Sequence, residues 1–505
     1  MYTNVISATW GRNYGKPVLK TTRYDGTSRI LSINPLPFLA KTWVTADDFG
    51  KLDKTNVVKT DDTVTDITPF GKPTVKIMVA SPDDLLKVRT DNPDILFYQA
   101  DVKYGVDAFI ETGMHLTKHL TPAFVDLEAN PLVRVTDLIR QPLNPLISAS
   151  ITDIHGNTKF ICENDEITFL NRYADYMRKF AYMLCWSSFD YSYPTLRARH
   201  LGVYNPFIFT EGIDAMRLFG RAVLKLDISR SKRTGFIRLI DAAKKLGIPF
   251  ADSEAKNNIN VLSQWYANDR LKLAEYNKAD SIALWRICTE LAIPETLQTI
   301  LTDLNIFPTL YNETSQIFDM LRLRVAFNNK PRIVLPNRRR KPADYTIHNR
   351  TDKPAGGFVL DPIAGTYKNI FSFDSKNNYP RIIKALNIGL DTYDPEGTIR
   401  TEKLRFTNKR VALTVQTMHI FDELLKIYNA EWEACGRDEK NFKVYLKRFE
   451  IKHKLNSIYG QYGFITKPDD WGMVVADRLY DPDVLESVTL TGQAILKAAT
   501  KFVES

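Results

Sequence analysis

Asp126 and Glu128 stand two positions apart in Ala123-Phe124-Val125-Asp126-Leu127-Glu128, a run that reads as a strand. Alternate side chains on a strand project from one face, so both carboxylates point the same way. Two such groups repel each other unless a cation neutralises them, and hard oxygen donors suit Mg²⁺ or Mn²⁺. A D-x-E pair alone is most often a surface strand feature, but two further signals accompany it. Asp190 follows Trp186-Ser187-Ser188-Phe189 and precedes Tyr193-Pro194. That is where a strand end meets a helix start, a place an N-cap aspartate also takes. Tyr276 and Asp280, four apart in a predicted helix, share one face; a half-buried tyrosine beside a surface aspartate is the plain reading of that pair.

A second set lies toward the C-terminus. Lys452, Asn456, Tyr459 and Gly460 fall at i, i+4, i+7 and i+8, one stripe of a single predicted helix. A core stripe would be Leu and Ile; Lys-Asn-Tyr-Gly is not core material. Lys443, Lys447, Arg448 and Lys454 surround it and add positive potential or form a solvated face. Upstream, Asn369-Ile370-Phe371-Ser372-Phe373-Asp374 alternates apolar and polar, a strand that delivers Asp374 at its end. The turn from Ser375 to Asn378 would offer backbone N–H groups to a triphosphate. Tyr379-Pro380 then leads into a helix through Arg381-Ile382-Ile383.

The elements that position these residues divide the chain into regions. A length of 505 residues exceeds one core and implies about three domains. Residues 1–115 read as an α+β domain with strands at Val5–Trp10, Ser28–Ile33 and Val75–Val79. A helix follows, capped by Ser81 with Pro82 in its first turn. From 116 to 325 strands alternate with longer helices: Leu146–Ile151 pairs with the Asp126 strand, and Asp165-Glu166 opens an amphipathic helix carrying Phe169, Tyr173, Met177 and Tyr182. Further helices are predicted near 232–246 and 270–292. Residues 326–412 form a linker and a second α/β region. The basic run Arg338-Arg339-Arg340-Lys341 reads as a solvated linker or a phosphate-gripping connector. Residues 413–470 hold a helix near 415–434, a turn at Gly436 and the Lys452 stripe; 471–505 close the chain.

Composition sets the outer bounds. The excess of 68 Lys+Arg over 59 Asp+Glu gives +9, which fits a polyanionic partner without singling one out. Four dispersed cysteines, Cys162, Cys185, Cys288 and Cys435, exclude a CxxC zinc site and read as reduced thiols. The N-terminus lacks a signal-peptide pattern, and no apolar run approaches the roughly 20 residues that span a bilayer. The expectation is a soluble, cytoplasmic protein without membrane contact.

In this order, the motifs resemble those of family B DNA polymerases. Phe373-Asp374-Ser375-Lys376-Asn377-Asn378-Tyr379-Pro380 is similar to motif A and Lys452-His453-Lys454-Leu455-Asn456-Ser457-Ile458-Tyr459-Gly460 to motif B. Asp126/Glu128, Asp190 and Tyr276/Asp280 resemble the three proofreading exonuclease motifs. The resemblance implies an N-terminal α+β domain, a ribonuclease H-like 3′→5′ exonuclease domain, and an incomplete palm with short helical fingers. It implies two-metal sites holding Mg²⁺ or Mn²⁺. Asp126, Glu128, Asp190 and Asp280 would ligate the exonuclease metals, with Tyr276 orienting water or phosphate, and Asp374 would bind the synthesis metals. Tyr379 would lie under the deoxyribose; Lys452, Asn456, Tyr459 and Gly460 would contact the incoming nucleotide. Primer–template DNA and dNTPs would be the substrates.

Departures are visible too. The family usually has Trp-Asn and a longer spacer where this chain has Trp186-Ser187-Ser188, which bears on single-strand affinity. Asn377, Asn378 and Arg381 replace the usual Ser, Leu and Ser. A triphosphate-gripping Arg in the fingers has no clear counterpart; Lys426 is the nearest candidate. The family's third motif, Asp-Thr-Asp, is not found. Asp481-Pro482-Asp483 has the spacing, but proline fits poorly at the centre of a metal-binding hairpin, so it reads as a turn and helix start. The resulting expectation is the N-terminal subunit of a split, bacteriophage-type enzyme, completed in the host cytoplasm by a second chain with motif C and thumb. The alternatives are a free-standing 3′→5′ exonuclease with a DNA-binding remnant, or a non-catalytic primer–template scaffold.

Overall fold

The computed structural model describes residues 4–13, 16–63, 65–130, 144–205, 207–208, 212–225, 237–250, 260–350, 352, 354–361, 364–370 and 377–504. The chain begins with two antiparallel sheets. β1 (Val5–Asn13), β2 (Lys16–Tyr24) and β3 (Arg29–Pro35) form a meander. β4 (Ala40–Thr45), β5 (Lys59–Asp61) and β6 (Thr74–Val79) form a second sheet in the order β4-β6-β5. Between the predicted strands Val5–Trp10 and Ser28–Ile33 no further strand is expected. β2 fills that interval: Val18, Leu19, Thr21 and Tyr24 turn inward along Lys16–Tyr24, and the polar residues between them mask the alternation. Ser81 caps the Pro82–Asp91 helix as its sequence predicts, accepting from the Asp84 backbone N–H.

A mixed five-stranded sheet follows, β7 (Pro122–Ala129), β8 (Leu146–Thr152), β9 (Thr158–Ile161), β10 (Tyr182–Cys185) and β11 (Gly212–Asp214), in the order β11-β10-β7-β8-β9. β7 runs antiparallel to β8 and parallel to β10. One face packs on the Glu166–Met177 helix through Phe169, Leu170, Tyr173 and Met177, meeting Val125 and Leu127 of β7. Tyr182 belongs to β10 and not to that helix, which ends at Met177. The other face receives the Arg270–Glu290 helix.

Beyond residue 330 the chain is largely helical. Helices Leu413–Ala434 and Phe442–Ser457 pack side by side, joined through a turn with Gly436 at φ +70°. Asp391 is fully buried and accepts from the Leu413 backbone N–H through both oxygens (3.2 and 3.1 Å), capping the first of these helices; burial pushes its pKa up to about 6. Asp481 likewise receives the N–H groups of Asp483 and Val484, both at 2.9 Å, at the start of the Pro482–Glu504 helix. Asp481-Pro482-Asp483 is therefore a turn and helix start, as its proline implied.

The basic run is only partly solvated: Arg339 and Lys341 are exposed, and Arg340 is buried. β12 (Arg339–Arg340) pairs antiparallel with β15 (Val474–Val475), where β13 (Ile399–Arg400) and β14 (Arg405–Phe406) form the intervening hairpin. The buried Arg340 guanidinium donates to Asn337 O and Asp477 O. Buried Arg478 donates to Asp101 and Asp319, joining the N-terminal region, the Thr314–Asn328 helix and the 474–481 segment.

Lys454 departs from its sequence reading as well. It is buried and donates to Glu450 Oε2 at 2.7 Å. Glu450, also buried, accepts from Arg221 Nη1 at 2.7 and 2.8 Å and from the Tyr311 hydroxyl at 2.7 Å. Burial opposes the Glu450 charge, but Arg221 and Lys454 outweigh it and hold the carboxyl well below its ordinary range. Replacing Glu450 by Ala leaves two cations buried without their anion, at a cost of roughly 3–5 kcal/mol. The expected result is a melting temperature several degrees lower, with a smaller fall for Glu450→Leu/Lys454→Leu, read by thermal unfolding.

Candidate active site

The site is built on β7. Val125 and Leu127 point into the core beneath the sheet, which sends Asp126 and Glu128 to the opposite face, both half-buried. Across the ladder Asp126 lies opposite Ser150 and Glu128 opposite Ser148. Ser148, Ser150 and Thr152 make a small, polar, fully buried stripe on β8. Ser281 of the Arg270–Glu290 helix sits on it, its hydroxyl 2.7 Å from that of Ser150 and 2.9 Å from that of Thr152. Small side chains let the helix approach closely, and the approach brings Asp280 over β7.

Asp126, Glu128 and Asp280 each present a carboxylate oxygen within 4.8 Å of the others. Three hard anionic oxygens at that spacing fit a divalent cation of the Mg²⁺ or Mn²⁺ class. Tyr276, one turn before Asp280, packs edge-on against Trp265 with ring centroids 5.9 Å apart. Its phenol is pushed far up, first by burial and then by the charges of Glu128, Asp280 and Asp126. The hydroxyl therefore stays protonated and can donate to an oxyanion.

Asp190 takes a different place. Ser187, and not Asp190, caps the Ser188–His200 helix, its side chain accepting from the Phe189 N–H. Asp190 lies in the first turn, buried, beside the Cys185 thiol, which burial and then Asp190 push upward. It stands outside the group of three carboxylates.

Sequence reasoning missed Asn277. This fully buried residue donates through Nδ2 to Asp126 Oδ2 at 2.6 Å and to Asp126 O at 3.2 Å. It fixes the carboxylate from behind, as outer partners of metal ligands do. The available signal was its i, i+3 relation to Asp280, which puts both on the buried face of one helix. Asn277→Leu is expected to weaken divalent-metal binding at this group by about 10–100-fold, measured by Mn²⁺ titration of the protein.

The second set is only partly in view. Asp374, and the strand and turn expected around it, lie outside the described residues. Asn377 has left-handed backbone (φ +53°) and begins the Asn378–Ala385 helix. Tyr379 on that helix meets Tyr459 with ring centroids 4.3 Å apart. A Cβ at Gly492 of the Pro482–Glu504 helix would stand 3.2 Å from Tyr379 Cε1, so glycine there leaves room for the ring.

The predicted single stripe is broken. Lys452 and Asn456 lie on the Phe442–Ser457 helix, but Tyr459 and Gly460 belong to the 3₁₀ segment Tyr459–Gly463 that follows. The tighter turn carries Tyr459 toward Tyr379. Lys452 is half-buried, and Asn456 Oδ1 is a buried acceptor without a hydrogen-bond partner among the described residues. Lys426 is exposed.

The chain is similar to known proteins in sequence and in fold. Over 251 residues the chain is 25% identical to a DNA polymerase of Desulfurococcus sp. (strain Tok), an alignment covering 48% of this chain and 30% of the relative. Over 338 residues it is 23% identical to DNA polymerase 1 of Pyrococcus abyssi, covering 63% of this chain and 41% of the relative. The chain thus spans well under half the length of these curated relatives. In fold it is similar to the family B DNA polymerase of the hyperthermophilic archaeon Pyrobaculum calidifontis. The two agree with a TM-score of 0.69 at 17% identity, over 99% of this chain and 72% of that one. No model of a known protein family matches.

Proposed function

We infer, from a chain that shares sequence and fold with the N-terminal part of family B DNA polymerases, that it hydrolyses DNA 3′→5′ and contributes part of a template-directed synthesis site. The observation that carries the first activity is the convergence of Asp126, Glu128 and Asp280 beneath a protonated Tyr276. Asp126, Glu128 and Asp280 would hold a divalent metal there, which would supply acidification of a water and positive charge for the leaving 3′ oxygen. Asp126 and Glu128, fixed by the sheet, hold the donors; Asn277 sets the Asp126 rotamer; Tyr276 donates to a non-bridging phosphate oxygen. Asp190, buried one strand away beside Cys185, is assigned to the same acidic centre as a fourth carboxylate.

For synthesis, Asp374 is proposed as a metal ligand and Tyr379, packed at a tilt against Tyr459, as the floor under the nucleotide sugar. Lys452 pairs with the triphosphate, while Asn456 and Gly460 line the approach. A second carboxylate motif and a thumb complete the site, and the polypeptide that carries them is proposed to cover an apolar seam on this chain. Val359, Leu360 and Ile370 on one segment, and Ile495, Leu496, Phe502 and Val503 on the Pro482–Glu504 helix, are exposed. Gln493 Nε2 donates to Gly356 O at 2.8 Å, so the two runs lie side by side. Apolar surface of this kind calls for cover. Among the described residues no helix is long and apolar enough to cross a membrane.

The test is a 5′-labelled single strand incubated with the chain and Mg²⁺. Stepwise shortening from the 3′ end that stops on chelation is the expected result. Intact substrate, or release of the 5′ label first, would sink the reading.

A further inference from the structure

We propose that the β13–β14 hairpin and the two cavities flanking Tyr393 form a grip for single-stranded DNA, contacting its phosphates without reading its sequence. The starting point is an unfavourable pair. In the β13–β14 ladder Arg400 lies directly opposite Arg405, with Ile399 opposite Phe406. Residues directly opposite share a face, and like charges there repel. Both arginines are exposed, and among the described residues neither makes a side-chain hydrogen bond or ion pair. Phe406 is buried and anchors the hairpin, so the repulsion is held in place and an anion between the two guanidinium groups relieves it.

The surroundings extend that anion into a chain. Arg400 and Arg405 line a cavity of about 420 Å³ with Lys403 and His348. Tyr393 and Pro395 belong to its wall and also to the wall of a neighbouring cavity of about 570 Å³, which adds Lys330, Lys409 and Arg410. The one carboxylate in the two walls is Asp394, 3.9 Å from the exposed Lys409. Lys403 is engaged by Asp483 at 3.2 Å and Glu486 at 3.1 Å, which leaves Arg400, Arg405 and Lys330 as the exposed cations of the two walls without a carboxylate partner among the described residues, with Lys409 held loosely by Asp394. Half-buried Tyr393 stands between the cavities and half-buried Phe70 lines the larger one. Cations along a groove with aromatic rings between them are what a single strand needs: charge for each phosphate and a face for unstacked bases. A lone nucleotide would use one cavity, whereas two cavities sharing Tyr393 suit a strand of several residues. This deepens the functional reading, since synthesis requires a single-stranded template, and it rests on that reading for its place in the reaction.

The test is fluorescence anisotropy of labelled oligo-dT with the full chain in EDTA, so that no hydrolysis occurs. Arg400→Ala/Arg405→Ala is expected to raise Kd about tenfold at 0.1 M salt. It should also flatten the dependence of log K on log salt by about 1.4, two contacts at about 0.7 each for single strands. Arg400→Lys/Arg405→Lys should restore most of the affinity. The alanine variant should melt no lower than the parent, because a repulsion has been removed. A strand carrying 5-iodouracil should photo-crosslink to the peptide bearing Tyr393 or Phe70. Unchanged Kd and slope, or crosslinks confined to other peptides, overturn the proposal. So does a double variant that loses inorganic pyrophosphate but keeps oligo-dT, which marks a small polyphosphate site. Because binding is read without metal, a wild-type chain that fails to hydrolyse DNA would overturn the functional reading and leave this result standing.

Discussion

Asp126→Ala/Glu128→Ala is expected to lower 3′→5′ hydrolysis by about a thousandfold, the equivalent of about 4 kcal/mol of transition-state stabilisation. Both side chains leave β7 on its solvent-reaching face, while Val125 and Leu127 on the other face keep the strand buried. Truncation removes the proposed metal donors and the side-chain acceptor of the buried Asn277 amide, while the apolar packing of β7 stays. It also removes two of the three carboxylates that converge there, so the fall in mutual repulsion offsets the lost Asn277 bond and the melting temperature should change little. The single change Asp126→Asn should be nearly as damaging to rate. It keeps shape and the bond to Asn277 but removes the charge a hard cation requires. Hydrolysis within tenfold of the parent in the double variant would remove the carboxylate group from the reaction.

Tyr276 refines this expectation. Its phenol is protonated throughout the working pH range because burial and three neighbouring carboxylates oppose its ionisation. Any alkaline limb in the pH–rate profile must therefore arise elsewhere, and Tyr276→Phe should lower rate without moving that profile.

Much of this arrangement is legible in the chain because it is local. Two-residue spacing on a strand and four-residue spacing on a helix fix which side chains share a face, so Asp126 with Glu128 and Tyr276 with Asp280 follow from geometry alone. The pairing of β7 with β8 follows from two adjacent apolar strands. What escapes is set by long-range partners. Asn277 looks like any helix-surface amide until its 2.6 Å bond to a residue 151 positions away is seen. Lys454 looks solvated because its anion, Glu450, is one turn earlier and its burial depends on Arg221 and Tyr311. Arg340 looks like part of a charged linker until β15, more than 130 residues later, pairs with it. The break between Ser457 and Tyr459 is a subtler failure. Helical periodicity extends across both, and only contact with Tyr379 tightens the turn.

Asp374→Ala should abolish templated synthesis, by about a thousandfold or more, once the chain is combined with the polypeptide that supplies the second carboxylate motif. Two-metal phosphoryl transfer places cations on both the attacking and leaving oxygens, and neither is held without converging carboxylates. Asp374 lies three residues before Asn377, where left-handed backbone turns the chain into the Asn378–Ala385 helix. The helix that follows sets Tyr379 against Tyr459, and the substitution is aimed at the charge that the proposed metals require. The variant should accordingly still bind primer–template DNA, with dNTP-dependent extension lost. Asp374→Asn should behave the same way, which separates charge from bulk. Nuclease activity in the same preparation reports folding: a protein that loses both activities has lost its structure, and one that loses extension alone has lost a ligand. Extension by the Asp374→Ala complex at the parental rate would remove this chain from the synthesis site and leave it as the nuclease alone.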